Sequence, residues 1–94
     1  MRVYISGPIT NNPNYKNDFK VAVNDFSSQG HEIINPAGLD GVMPSDAKHS
    51  EYMSICLPLL DLADAIYMIP GWEKSQGACI ERGYALGRGK IILK

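Results

Sequence analysis

Basic residues are few in this 94-residue chain and never gather: nine Lys and Arg stand against ten Asp and Glu, for a formal net charge of −1. With a pI near 6.0 and no basic run interleaved with aromatics, the chain lacks the positive face a dedicated nucleic-acid binder uses to neutralise phosphates. No apolar stretch approaches the roughly 20 residues a membrane span requires, so no membrane partner is expected. The opening MRVYISGP has neither the long apolar region nor the small-residue cleavage site of a signal peptide, and a cytoplasmic protein is expected. Cysteine is nearly absent. Cys56 and Cys79 stand in helical stretches without CxxC or Cys/His ligand spacing, and both are expected to be reduced core residues. No metal and no cofactor is expected. Repeats, low-complexity tracts and linker-like runs are also missing, so residues 1–94 read as a single domain.

What is present is alternation of strand and helix. Arg2 to Ser6 (RVYIS) is a β-branched and aromatic run stopped by Gly7-Pro8. A helical period begins at Asn14, with Tyr15, Phe19, Ala22, Val23 and Phe26 on one face and Gly30 placed to end it. His31 to Asn35 is a second short strand closed by Pro36. Residues 36–48 are rich in Gly, Pro and Asp and read as irregular, a length typical of lids and binding loops. Ser50 to Ala63 is helical by pattern, with Pro58 expected to kink or break it. A strand at 65–69, a helix at about 76–87 and a final strand at 90–93 follow. The fold expected is α/β: a small flavodoxin-like or Rossmann-like three-layer domain with a four-stranded parallel sheet. Ligands in such sheets bind beyond the carboxyl ends of the strands, here residues 6–14, 35–48 and 70–77.

Chemistry concentrates on the last helix. Gly77 and Glu81 are four residues apart, hence on one face, and a glycine there leaves a ledge from which a ligand could meet an exposed Glu81 carboxylate. Ser75 stands where free backbone N–H groups and the positive helix end favour a phosphate. Together they suggest a phosphorylated sugar. Surface glutamates and packing glycines are common on helices, so a purely structural role is the alternative. Trp72, just past the third strand, stacks on a base, plugs the gap between turn and helix, or forms a subunit contact.

The segments VYISGP, DAIYMIPGW and SQGACIERGYALGRGK resemble the nucleoside 2-deoxyribosyltransferase superfamily, most closely its short phage and bacterial members with a GWE-S-GA-E pattern. The resemblance covers most of the chain and is most specific over residues 65–93. It implies a flavodoxin-like enzyme that cleaves the N-glycosidic bond of deoxynucleosides or their monophosphates. It implies Glu81 as nucleophile, Tyr4 as the residue orienting it, and a ligand site that draws in the first loop at Gly7, Pro8 and Thr10. Without the resemblance, Tyr4 reads equally as a packed core aromatic.

Three departures refine the expectation. Transferases of the superfamily carry an aspartate six residues before the glutamate; here that residue is Ser75, as in the superfamily's 2-deoxynucleoside 5-monophosphate N-hydrolases, where a serine binds the 5′-phosphate. Cys56 stands where an aspartate usually helps to protonate the leaving base. Pro8 and Thr10 replace a serine and an arginine of the hydrolases' first loop. Asp40, Asp46, His49 and His31 are the remaining candidates for a proton donor. The leading expectation is an N-glycosidase acting on a nucleoside 5′-monophosphate or a related nucleotide. A non-catalytic protein that sequesters a nucleotide or nucleotide-derived signal is the alternative, and an interaction module with a vestigial pocket is a third reading. The short chain and the apolar Tyr52-to-Leu62 segment lead us to expect a homodimer or larger homo-oligomer.

Overall fold

The computed structural model describes residues 1–93. Four strands, β1 (Arg2–Ser6), β2 (Glu32–Ile34), β3 (Ala65–Met68) and β4 (Ile91–Leu93), form one sheet in the order β2-β1-β3-β4. Every pairing is parallel, with Tyr4 opposite Ile34 on one side and Ile66 on the other. Three helices connect them: α1 (Tyr15–Ser28), α2 (His49–Asp61) and α3 (Gln76–Gly87). The architecture is the expected three-layer parallel α/β domain.

Period-2 alternation divides the core in two. Val3, Ile5, Ala65 and Ile69 face α1 and pack on Phe19 and Ala22. Tyr4, Ile66 and Met68 face the other way, against Cys56 and Leu60 of α2 and Ala78 and Ala85 of α3. The chain leaves β1 to one side through α1 and returns on the other side through α2. The crevice at the carboxyl ends of β1 and β3 is therefore the topological switch point of the sheet.

Two helices end by the same device. At Gly30 (φ +88°) the N–H groups of Gly30 and His31 donate to the carbonyls of Ser27 and Phe26, and at Gly89 (φ +71°) those of Gly89 and Lys90 donate to Leu86 and Ala85. This is the reciprocal C-terminal pattern that needs a left-handed residue, and it turns the chain directly into β2 and β4.

Several elements depart from expectation. Residues 36–48 are not wholly irregular: Pro36–Gly41 form a 3₁₀ helix, started by the Asn35 side chain accepting from the Ala37 N–H at 3.1 Å, with Pro36 in the first position. Helix α2 begins at His49, where the Lys48 N–H donates to the Glu51 carboxylate at 2.8 Å. Pro58 does not break it. The carbonyl that loses its partner belongs to Ser54, which is exposed, so water can satisfy it. Cys56 is buried as expected, but Cys79 is exposed, and both thiols are free. No helix among the described residues is long and apolar enough to cross a membrane.

Gly7 marks a contact at which no larger residue fits. A Cβ there would lie 2.7 Å from the Ile69 Cβ, and both atoms are fixed to backbone paired by the Ile69 N–H to Ser6 carbonyl bond of 2.8 Å. Gly7→Ala is expected to cost about 1–3 kcal/mol through overpacking. A melting temperature equal to that of the unsubstituted protein would show that the β1–β3 exit has slack.

Candidate functional site

Glu81 lies at the base of the switch-point crevice. Alternation on β1 sends Tyr4 and Ser6 to the same face, and α3 lays Glu81 across them. The Ser6 hydroxyl donates to Glu81 Oε1 at 2.7 Å, and the Tyr4 hydroxyl donates to Oε2. Glu81 is 5% exposed, Ser6 1% and Tyr4 0%, so this carboxylate is buried and held on both oxygens. The exposed helix carboxylate expected from the sequence is thereby corrected. Helical spacing set its face, but depth depends on how closely α3 lies on the sheet, which the small residues Ala78 and Ala85 permit.

Burial governs the electrostatics. It pushes the Glu81 carboxyl above its ordinary range; the bonds from Tyr4 and Ser6, the nearby His49 and the Cys56 thiol pull down without cancelling that effect. Burial raises the Tyr4 phenol too, and the Glu81 charge adds to it. The Cys56 thiol is likewise raised, mainly by burial. The site holds a poised carboxylate between two hydroxyls and a neutral thiol.

Above it opens a cavity of about 1000 Å³. All three segments expected at the strand ends contribute: Gly7, Pro8 and Thr10 from the first, Asp40 from the second, and Ser75 and Gly77 from the third. Ser75 caps α3, its Oγ accepting from the Ala78 N–H at 3.2 Å, while its carbonyl accepts from Cys79. Among the described residues, the N–H groups of Gln76 and Gly77 find no protein acceptor, and Lys74 stands beside them on the cavity wall. Gly77 lines the cavity, although a Cβ on it would meet His49 Nε2 at 3.2 Å and Met53 Cε at 3.6 Å. Its bareness therefore lets α2 approach α3 as well as leaving the ledge.

Other candidates lie elsewhere. Trp72 does not line the cavity; it packs on the Tyr4 side of the core, with the Arg82 guanidinium 5.0 Å from its ring, as the plug reading expects. Asp46 is exposed and off the cavity wall. His31 sits at the opposite end of the sheet, its ring 3.3 Å from the N-terminal amine. His49 and Asp40 do reach the cavity.

Two features escaped the sequence reading. Ser6 could have been found from parity: two residues beyond Tyr4 on a strand, it must share the tyrosine's face. Asp40 accepts hydrogen bonds from both Tyr15 and Tyr52, joining three elements, and no local pattern announces such a meeting.

A buried carboxylate lies at the switch point of a parallel sheet, beneath a cavity with a helix N-terminus on its rim, the place where α/β sheets of this kind bind their ligands. The chain belongs to the family described as "Domain of unknown function (DUF4406)", which matches residues 1–94. No curated protein matches it. Among solved structures it is similar to a 2-desoxiribosyltransferase from Leishmania mexicana, at 21% identity and a TM-score of 0.66 over 98% of this chain. The chain spans 61% of that protein's length, and the likeness is one of fold.

Proposed function

We propose that this protein is an N-glycosidase acting on a nucleoside 5′-monophosphate or related nucleotide, with Glu81 as nucleophile. The observation that carries the proposal is the buried Glu81 carboxylate held by Tyr4 and Ser6 at the floor of the cavity. A carboxylate so placed stabilises an oxocarbenium-like transition state and can close onto it. One Glu81 oxygen bonds to the anomeric carbon as the C–N bond breaks, and the electron pair leaves with the base, which takes up a proton. Water then attacks the anomeric carbon of the glycosyl ester, releasing the sugar and freeing Glu81; a second base in place of water would make the reaction a transfer. Tyr4 and Ser6 hold the carboxylate's orientation and favour its ionised form. The fold shared with a protein named a 2-desoxiribosyltransferase supports a deoxyribosyl group as the part acted upon.

Ser75, the free N–H groups of Gln76 and Gly77, and Lys74 form the seat for the phosphate. Thr10 and the Gly7-Pro8 turn complete the wall facing it. His49 is the proton donor in this scheme, since it lines the cavity and its Nε2 sits beside Gly77 on the ligand side of α3. Ser75→Asp is expected to lower affinity for nucleotides at least about tenfold, the loss of a charge-assisted contact, while sparing nucleosides. Calorimetry with matched nucleoside and nucleotide pairs checks this, and equal affinities in both proteins would remove the phosphate seat.

One observation favours sequestration without turnover. Cys56, a buried thiol with its proton firmly held, faces Tyr4 and Glu81 where the resemblance implies an acid. Incubation with a panel of deoxy- and ribonucleotides separates the readings. Chromatographic appearance of free base supports the enzyme; a raised melting temperature with no base released supports the binder.

Self-association has a candidate surface in the groove of about 620 Å³ between α2 and α3, lined in part by the exposed Ile80. A homodimer or larger assembly is expected in sedimentation at micromolar concentration, and a strictly monomeric profile would contradict it.

A further inference from the structure

The geometry points to Asp40 as the residue that selects the base, favouring bases with an exocyclic amino group. This rests on the nucleotide reading above. Strand order places the two ends of the ligand: β2 lies to one side of β1 and β3 to the other. The phosphate seat follows β3, while the 3₁₀ segment following β2 carries Asp40 to the opposite side. With the anomeric carbon over Glu81 and the phosphate on the β3 side, the base extends toward the wall formed by Asp40 and Tyr52.

That wall offers mainly an acceptor. Tyr15 donates its hydroxyl proton to Asp40 Oδ2, and Tyr52 donates to Oδ1 at 3.2 Å. The Tyr52 donor is thus already engaged, and among the described residues no Lys or Arg forms an ion pair with Asp40. Each carboxylate oxygen has two lone-pair directions, so one on each remains for a ligand. Two phenols from different helices fix the carboxylate's plane, which an isolated surface aspartate would not have. Adenine, cytosine and guanine each bring an amino group that can donate to it. Hypoxanthine and uracil place a carbonyl oxygen where adenine and cytosine carry that amine, and a carbonyl facing a carboxylate repels it.

The experiment uses two pairs that differ in this one group: dAMP against dIMP, and dCMP against dUMP. Affinity, or kcat/KM where base is released, is measured for the wild type and for Asp40→Asn. The amino member of each pair is expected to be preferred about tenfold or more by the wild type, and the preference to collapse to within about twofold in Asp40→Asn, whose amide both donates and accepts. A purely structural role for Asp40 would weaken all four nucleotides together and leave the ratios unchanged, which would overturn the inference. Equal affinities within each pair in the wild type would overturn it even if Asp40→Asn failed to fold, leaving the glycosidase reading intact. If none of the four bound, the nucleotide reading itself would fall, and this one with it.

Discussion

Glu81→Gln is expected to abolish base release, by on the order of 10³-fold or more, the scale seen when a nucleophile is removed. The protein should remain folded. Gln keeps the volume and one acceptor, and the hydroxyls of Tyr4 and Ser6 can each turn to accept from the new amide. Its stability should rise at neutral pH. The folded carboxyl titrates above the unfolded one because burial raises it, so between the two values the folded state binds more protons and stability falls as pH increases. Gln removes that cost. The melting temperature of Glu81→Gln should equal or exceed that of the wild type above this window, and the advantage should shrink as pH falls below the ordinary carboxylate range. Thermal unfolding across pH 4–8, with ~4 near the unperturbed carboxylate value, checks this. Wild-type stability that instead grows with pH through the window would contradict a buried, raised carboxyl.

Tyr4→Phe is the second large effect. Tyr4 is fully buried and gives its proton to Glu81, so Phe leaves the nearly buried carboxylate with one donor fewer. Base release should fall about ten- to hundredfold, the worth of a hydrogen bond to a charged group. The pH profile should move in a defined direction. Tyr4 pulls the Glu81 carboxyl down, so its loss lets the carboxyl rise, and the acidic limb of kcat/KM should shift to higher pH. Ser6→Ala should shift it the same way by a smaller amount, following the order of the two contributions. A lowered rate with an unmoved acidic limb would mean that Tyr4 supports packing alone.

The legible parts of this chain are those written in local periodicity. RVYIS is a β-branched and aromatic run stopped by Gly7-Pro8, and it forms strand β1 with the same bounds. Gly30 ends α1 because only a left-handed residue closes that turn, a requirement local in sequence. The site was legible in outline, because a parallel sheet dictates where its loops converge. What remained hidden depends on distance. Whether Glu81 is exposed or buried is decided by how closely α3 approaches β1, and whether Trp72 faces a ligand or the core is decided by the short 3₁₀ turn at Trp72–Lys74. Asp40 between Tyr15 and Tyr52 joins three elements, with 25 and 12 residues separating the partners. Cys79 shows the opposite limit: an apolar residue in a helix need not be on its buried face.

The claim that Glu81 is the nucleophile is tested most directly by intact-protein and peptide mass spectrometry on samples acid-quenched during turnover of a deoxynucleoside 5′-monophosphate. The expected result is a fraction of the protein heavier by one deoxyribosyl phosphate group, with the added mass on the peptide containing Glu81 and absent from Glu81→Gln. Base released steadily by the wild type with the adduct on another residue, or equally by a well-folded Glu81→Gln protein, would contradict it.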